Sequence, residues 1–493
     1  MPSYSSDEFY ADWRYTVGED FVTSTDQPYP YAHDGHLQWG NEVQKITFDG
    51  AAHLACISSD HKRLALAINC DIHVIDTKSW EVIAVLKGHT SEVSAIAFRP
   101  HDSNFLVSDE TDELHHSHGG SSPQIVFWDI EEVAKHIHQD GSYADAAHAA
   151  ATAAAGSLTK LNVTLNETEI QEIKAGFQPV IDRAIAKNTA ARHTTINGRL
   201  QEHFQSQILS PSGKWMVYLP GKSPKRNGDD AWDMQIISTD TFAKCLFLSG
   251  HRDAIMWMGW SSDETLFASI SWDRSIRIWD ARTGDQKHCF MTETQNWTGN
   301  FSPDASYFVA TDGKGNVRVY SLPSGDLHWT YSGQSGGGWR RTVSWHPNNQ
   351  WLAVGGGRLG ELLLLDVKLM KQLQKRVLSA EASTREEEYR KMMTRFVGVG
   401  KVQFVDGGNK LVVWTYGDGS IEVYDIQQEV KWRIPRGGTD EGSESHKWRD
   451  EKGKVTSKGG HGMVAWEDSS RGVLRVASLD FDGVRIWEVP LVL

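Results

Sequence analysis

The stretch GHRDAIMWMGWSSDETLFASISWDRSIRIWD, Gly250–Asp280, decides the fold. It reads as a Gly-His turn, an apolar strand, a Ser-Ser-Asp turn, a small-residue strand, a tight turn at Asp273 and a strand ending in Trp279-Asp280. Ile276 and Ile278 alternate with Arg277, the period of two that a half-exposed strand requires.

Working outward, weaker copies of that last strand recur along the chain. IHVID lies at Ile72–Asp76, IVFWD at Ile125–Asp129, MQIIS at Met234–Ser238 and VRVYS at Val317–Ser321. LLLLD follows at Leu362–Asp366, IEVYD at Ile421–Asp425 and VRIWE at Val484–Glu488, so that the clear copy makes eight. The turn before the small-residue strand repeats too, in FRPHDSNFLVS (Phe98–Ser108), LSPSGKWMVY (Leu209–Tyr218), FSPDASYFVA (Phe301–Ala310) and WHPNNQWLAV (Trp345–Val354). The steps from Ser238 to Asp280, to Ser321 and to Asp366 are each about 40–45 residues, the length of a four-stranded propeller blade. Longer steps, above all Asp129 to Ser238, hold insertions.

These residues resemble the WD-repeat β-propeller family, over about Val43 to Val489. The likeness is strongest in the copy ending at Asp280 and in the Gly88-His89…Trp128-Asp129 copy. Elsewhere the Gly-His turn is missing, or Tyr320, Leu365 or Tyr424 stands in place of Trp. The resemblance implies an all-β fold, a closed β-propeller of WD-type four-stranded blades with helical insertions. Eight blades are expected, with seven as the alternative because the MQIIS unit is degenerate. The resemblance also implies a buried polar bridge between strands, matched by His251, Ser269 or Ser271, Asp273 and Trp279, and in a second copy by His89 and Trp128. Such a bridge gives each buried polar group a partner, which makes these residues structural rather than catalytic. Closure is expected where EVQKITFDG (Glu42–Gly50) pairs as an outer strand with the last unit, VRIWEVPLVL, removing both free edges.

Composition agrees with short strands and tight turns. The 493 residues include 20 Trp and 44 Gly against 14 Pro, and 39% are hydrophobic. A net charge of −14 argues against duplex nucleic acid as the main partner, because phosphate binding needs a basic face. Cys56, Cys70, Cys245 and Cys289 show no close pairing and read as small buried hydrophobes of a reducing compartment. MPSYSSDEFYADW lacks the basic start and apolar run of a secretory signal, and no stretch approaches 18 apolar residues. Cytoplasm or nucleus is therefore expected, without membrane contact. The glycosylation-type triplets at Asn162, Asn166 and Asn296 are then chance matches.

The chain divides into an N-terminal extension (1–42) and the propeller (43–489). Three insertions are expected in it: helical ones at about 131–203 and 370–397, and a mobile loop at about 436–460. In the first, Ile170, Ile173, Phe177, Ile181 and Ile185 mark one helical face, with Pro179 as a kink. The resemblance implies that two lengthened turns, 108–123 and 220–233, fall on one rim of neighbouring blades, where binding loops concentrate. Trp339, Arg340 and Arg341 precede an inner strand at another rim turn, and Trp and Arg are the residue types favoured at interface hot spots.

No catalytic, cofactor or metal residue is assigned. His115, His116 and His118 lack the partners and spacing of a metal site, and GGGRLG (Gly355–Gly360) lies between strands instead of opening a helix. The function expected is a non-catalytic scaffold or adaptor that binds other proteins or peptides. One alternative is a substrate receptor of a cullin–RING ubiquitin ligase. RIWDAR (Arg277–Arg282) resembles the Trp-Asp-any-Arg box of such receptors, with Arg282 as the matching basic residue. A propeller enzyme with ionisable groups at its channel is the other.

Overall fold

A computed structural model describes residues 15–32, 41–110, 123–137, 194–201, 203–224, 231–333, 338–356, 360–380, 398–415, 421–434, 462–480 and 483–491. Strands β1 (Tyr15–Glu19) and β2 (Asn41–Thr47) come first. Then β3 (Ala52–Ile57), β4 (Arg63–Ile68), β5 (Asp71–Asp76) and β6 (Val82–Leu86) form an antiparallel sheet in chain order. β7 (Val93–Arg99), β8 (Asp102–Glu110) and β9 (Gln124–Asp129) repeat the pattern, followed by helix α1 (Ile130–Ile137) and β10 (Thr195–Arg199). Next come β11 (Trp215–Pro220), β12 (Trp232–Ser238) and β13 (Lys244–His251).

Two four-stranded sheets follow in strict chain order. The first is β14 (Ile255–Trp260), β15 (Leu266–Ser271), β16 (Ser275–Asp280) and β17 (Gln286–Met291). The second is β18 (Asn296–Phe301), β19 (Tyr307–Asp312), β20 (Val317–Ser321) and β21 (Leu327–Tyr331). β22 (Arg340–Trp345), β23 (Trp351–Gly356), β24 (Glu361–Asp366) and β25 (Lys371–Ala380) form the next, with β1 added outside β25. β26 (Val399–Val405), β27 (Lys410–Thr415), β28 (Ile421–Asp425) and β29 (Val430–Ile434) form another. Finally β30 (Gly462–Asp468), β31 (Val473–Asp480) and β32 (Gly483–Pro490) pair with β2 on the outer side.

The repeat seen in sequence thus becomes a repeat of antiparallel sheets. All eight quoted segments lie in interior strands, each flanked by a neighbour on both sides (β5, β9, β12, β16, β20, β24, β28 and β32). That includes the degenerate MQIIS unit, which is β12 between β11 and β13. In β16, Ile276 and Ile278 are buried and Arg277 is half-exposed, as the period of two requires. Gly250 in the Gly-His turn has φ of +141°, and a side chain there would run into the Arg277 guanidinium. Only glycine lets the turn come that close.

Cores lie between successive sheets. Trp257, Ile270 and Ile278 of one sheet pack with Phe301 and Phe308 of the next. Leu64, Leu66 and Ile75 of the first sheet share a core with Trp466, Leu479 and Ile486 of the last. Burying side chains of this size stabilises by about 1.5–3 kcal/mol each, so the faces, not the edges, hold neighbouring sheets together. The first strands of successive sheets touch one another from β14 through β18, β22, β26 and β30 to β3 and β7, which makes them the inner layer.

Several boundaries differ from the sequence reading. β2 starts at Asn41 and pairs with β32 from Asn41–Glu488 to Thr47–Gly483. The N-terminal extension is partly a strap: β1 runs antiparallel to β25, Phe21 and Tyr29 are buried, and Ala32 N donates to Lys431 O at 2.8 Å. Within the 131–203 insertion, Thr195–Arg199 is a strand, whose first half pairs with β9 and whose second half pairs with β11. It fuses two units into one seven-stranded sheet. Lys371–Ala380 is a strand instead of the start of a helical insertion, because β24 and β1 supply hydrogen-bonding partners on both sides. The Ile170–Ile185 stripe, the three histidines 115, 116 and 118, the 436–460 loop, most of the 108–123 turn and 225–230 of the 220–233 turn lie outside the described residues. None of the four cysteines is fully buried: Cys56 and Cys70 are half-buried, and Cys245 and Cys289 are exposed on the strands β13 and β17. Asn296 is fully buried, so its triplet is no glycan acceptor in the folded chain.

Candidate protein-binding face

The polar bridge takes shape where β13, β15 and β16 meet. Trp279 Nε1 donates to Ser269 Oγ at 3.0 Å, Ser269 Oγ lies 2.7 Å from His251 Nε2, and His251 Nδ1 lies 2.8 Å from Asp273. A proton on Nδ1 satisfies the whole chain: indole to hydroxyl, hydroxyl to imidazole, imidazole to carboxylate. Burial lowers the His251 pKa and keeps the ring neutral. Burial would raise the Asp273 carboxyl, but the hydrogen bond from His251 and two from Ser275 outweigh it and hold it well below its usual range. Ser271 stands apart from the bridge. Its hydroxyl donates to Asp253 O at 2.8 Å and accepts from Asp273 N at 3.0 Å, shaping the turn. In the second copy His89 and Trp128 meet at Ser108, each at 2.7 Å, and Glu110 sits where Asp273 sits in the first.

Because neighbouring strands are antiparallel, turns alternate between two ends of the sheets. At the end carrying the β15–β16 and β17–β18 turns, three indoles gather. Trp297 meets Trp272 edge-on at 5.2 Å and stacks on Trp339 at 4.4 Å with 20° between the planes. Arg341 lies over both Trp339 and Trp297, at 5.2 and 5.9 Å from the ring centroids. Trp339 is 47% exposed and Trp297 is buried beneath it. Arg340 belongs elsewhere. It is 1% exposed, pairs with Glu361 at 2.6 Å and donates to Gly315 O at 2.7 Å, so it cannot be a rim contact. Successive residues of β22 point to opposite faces, which separates the two arginines.

A loop closes in under this patch. Between β10 and Leu209 the chain enters the inner layer as a 3-10 turn, His203–Gln205, with Phe204 and Gln205 in the left-handed region at φ of 57° and 65°. Leu200 N donates to Asp109 at 2.6 Å and Gln201 Nε2 to Met256 O at 2.9 Å. Thr298 donates to Phe204 O at 2.9 Å, and Trp257 Nε1 to Gln205 O at 3.2 Å. The Gln205 amide accepts from Thr342 Oγ1 at 2.5 Å and donates to Val402 O at 2.9 Å. One short loop thus bonds β14, β18, β22 and β26. Left-handed non-glycine residues cost about 1–3 kcal/mol each, and a net gain of about 1 kcal/mol per hydrogen bond offsets this. Phe204 meets Trp297 edge-on at 5.6 Å, so the loop also supports the aromatic patch from below.

The pattern described as "WD domain, G-beta repeat" matches residues 80–129 and 243–280, the two segments that hold the His–Ser–Trp bridges. Both matched segments are WD repeats, and the chain is similar to the WD-repeat β-propeller family. Among curated relatives, the "Ribosome biogenesis protein WDR12 homolog" of Aedes aegypti is 25% identical over 223 residues, 43% of this chain and 48% of that protein. Its counterpart in Anopheles gambiae is 29% identical over 127 residues, 25% of this chain and 29% of that one. Human "Apoptotic protease-activating factor 1" is 22% identical over 311 residues, 59% of this chain and 22% of that protein. The chain thus spans less than half the length of these relatives. Among solved structures, Sqt1 of Saccharomyces cerevisiae aligns with a TM-score of 0.58 at 11% identity, covering 92% of this chain and 100% of that one, a likeness of fold alone.

In WD-repeat terms, Arg282 follows Trp279-Asp280 in the β16–β17 turn, at the end opposite Trp272 and Trp339. It is exposed, and its backbone N donates to Asp280 at 3.0 Å. Arg282 and Arg341 therefore face different directions and serve no common epitope. No described helix is long and apolar enough to cross a membrane. Among the described residues no group of three or more His, Cys, Asp or Glu is arranged to hold a metal ion. Trp272, Trp297 and the 201–205 loop carry no sequence signal beyond indoles at turn positions. The strap adds a second polar system. Arg376 pairs with Glu422, Tyr424 OH reaches Glu422 and Asp20 at 3.1 Å each, and Asp20 pairs with Lys431.

Proposed function

We infer that this WD-repeat protein is a non-catalytic scaffold that holds other proteins in a multiprotein complex. The observation that carries the reading is the half-exposed Trp339, stacked on Trp297 and capped by Arg341 on a rim supported from beneath. Large rigid aromatics beside Arg are what protein interfaces use as anchors. The polar residues of the repeat, by contrast, are occupied in holding strands together. The same reading takes the propeller as an eight-bladed ring, with residues 206–210 as the inner strand of its third blade and β2 on β32 as the seam. The mosquito relatives carry ribosome biogenesis in their name, so a ribosome-assembly complex is the one to test first.

The test is affinity purification of the full chain and of Trp339→Ala from cells, with partners read by mass spectrometry. Loss of a defined set of partners with an unchanged unfolding transition is expected. An identical partner set would overturn the use of this face. An Arg282→Ala chain in the same experiment checks the ligase-receptor alternative, which requires the cullin adaptor to be captured and then lost.

A further inference from the structure

We propose that Phe204 is a positioning residue for partner binding at the aromatic rim: it fixes the ring of Trp297 and, through that ring, the exposed Trp339. The proposal rests on the scaffold reading and adds the element on which its rim depends.

The strands that carry the rim do not aim its side chains by themselves. β18 pairs with β19 at Asn296–Asp312 and next at Gly299–Ala310, so the register shifts across Trp297 and Thr298. β22 shifts in the same way between Arg340 and Thr342, which leaves Arg341 at the irregularity. Such a bulge bends the strand and re-aims its side chains, so ladder pairing alone does not set their direction. Nor does a hydrogen bond orient the buried ring of Trp297, whose Nε1 has no partner among the described residues. Trp257, one sheet earlier, is held by its bond to Gln205 O, and Trp279 by its bond to Ser269. For Trp297, packing must do what those bonds do.

The His203–Gln205 turn supplies that packing. Among the described residues, Phe204 and Gln205 are the only consecutive non-glycine pair in the left-handed region. Bulky side chains avoid this backbone, which persists only where the surroundings hold it. Both side chains are used. The Phe204 ring stands at 89° to Trp297 with 5.6 Å between centroids, and the Gln205 amide spans Thr342 and Val402. The anchors fall next to the rim residues in sequence: Thr298, which donates to Phe204 O, follows Trp297, and Thr342 follows Arg341. Of the other rings on Trp297, Trp272 lies edge-on and Trp339 is stacked and 47% exposed. Removing the Phe204 ring leaves a void into which Trp297 can tilt, because a packed surround collapses only partly. Trp339, exposed on its far side, then follows. An anchor ring without one fixed angle loses the preorganisation that a tight interface depends on.

The experiment compares the full-length wild type with Phe204→Ala, Phe204→Leu, Thr298→Val and Trp339→Ala. Each chain is purified from cells with its partners, which mass spectrometry quantifies. Far-ultraviolet circular dichroism reads the exciton couplet of the stacked Trp297 and Trp339, taken as the wild type minus Trp339→Ala. Phe204→Ala should remove most of the couplet and lower recovery of the Trp339-dependent partners about tenfold. Phe204→Leu keeps most of the bulk against Trp297 and should restore most of both signals. Thr298→Val keeps its shape but cuts the bond to Phe204 O, and should move both signals the same way by a smaller factor. A merely structural Phe204 would lower the urea midpoint and leave couplet and partners alone, and that result for Phe204→Ala would overturn the proposal. Should Phe204→Ala not fold, Thr298→Val decides, and an unchanged couplet with unchanged partners overturns it. If Trp339→Ala keeps every partner, the scaffold face and this proposal fall together. If Trp339→Ala loses partners that Phe204→Ala keeps, only this proposal falls.

Discussion

Two polar systems hold this protein together, and they are built on opposite principles. In the β13–β16 region a neutral chain runs Trp279–Ser269–His251 to a single carboxylate, and all four groups lie within one Gly-His…Trp-Asp repeat. Along β25–β29 a charged network joins Arg376, Glu422, Tyr424, Asp20 and Lys431, and one of its members comes from the strap some four hundred residues away in sequence. Burial would raise the Glu422 carboxyl, but Arg376 and Lys431 outweigh it and hold it below its usual range. Burial, with Glu422 next, pushes the Tyr424 hydroxyl well up. A local bridge needs only hydroxyl-sized groups to satisfy each other. A buried ionic network needs every charge matched, and so tolerates loss far less.

That contrast is open to direct tests. Arg376→Ala should have the largest effect, about 3–5 kcal/mol, because it takes from the buried Glu422 carboxylate the guanidinium it is ion-paired with. Replacing both partners by apolar residues (Arg376→Met with Glu422→Leu) should recover much of it. Urea unfolding reads both, and a loss under about 1 kcal/mol in the single variant would erase the distinction. Ser269→Ala should cost less, about 1–3 kcal/mol in all for the indole N–H and the imidazole it leaves without their shared hydroxyl. A cost equal to that of Arg376→Ala would show that the neutral bridge is the more critical of the two.

A third test uses pH. Burial raises Asp109 to about 7, against the hydrogen bonds from Ser94 and Leu200 N. An unfolded Asp titrates near about 3.9, so between these values the folded protein keeps a proton that the unfolded chain has lost. The stability from this group is full below about pH 4 and is lost as pH rises through about 7. Asp109→Asn, neutral throughout, should therefore gain on the wild type between pH 5 and pH 8, as read by urea midpoints. Parallel curves would mean that the carboxylate is ionised throughout. The smallest effect is expected for Gln205→Ala, which loses the bonds to Thr342 and Val402 but relieves little strain, for a net loss of about 1 kcal/mol. No measurable change would show that the loop rests on its backbone contacts alone.

The sequence on its own determined the repeat and the interior strand of each sheet, because a period of two and a recurring turn are local properties that packing only reinforces. It also pointed to His251, Asp273 and Trp279 with either Ser269 or Ser271, all within one repeat, and only the folded hairpins choose Ser269. Arg340 and Arg341 were indistinguishable there, and only the pleat of β22 sends one into an ion pair with Glu361 and lays the other over Trp297. The same holds for the strap, for Gln205 bonded to Val402, and for Trp272 and Trp339 gathered around Trp297. Their partners lie tens to hundreds of residues away, and nothing in the local sequence pattern carries the inter-sheet geometry that brings them together. The repeat is therefore a property of the sequence, and the aromatic rim is a property of the assembled sheets.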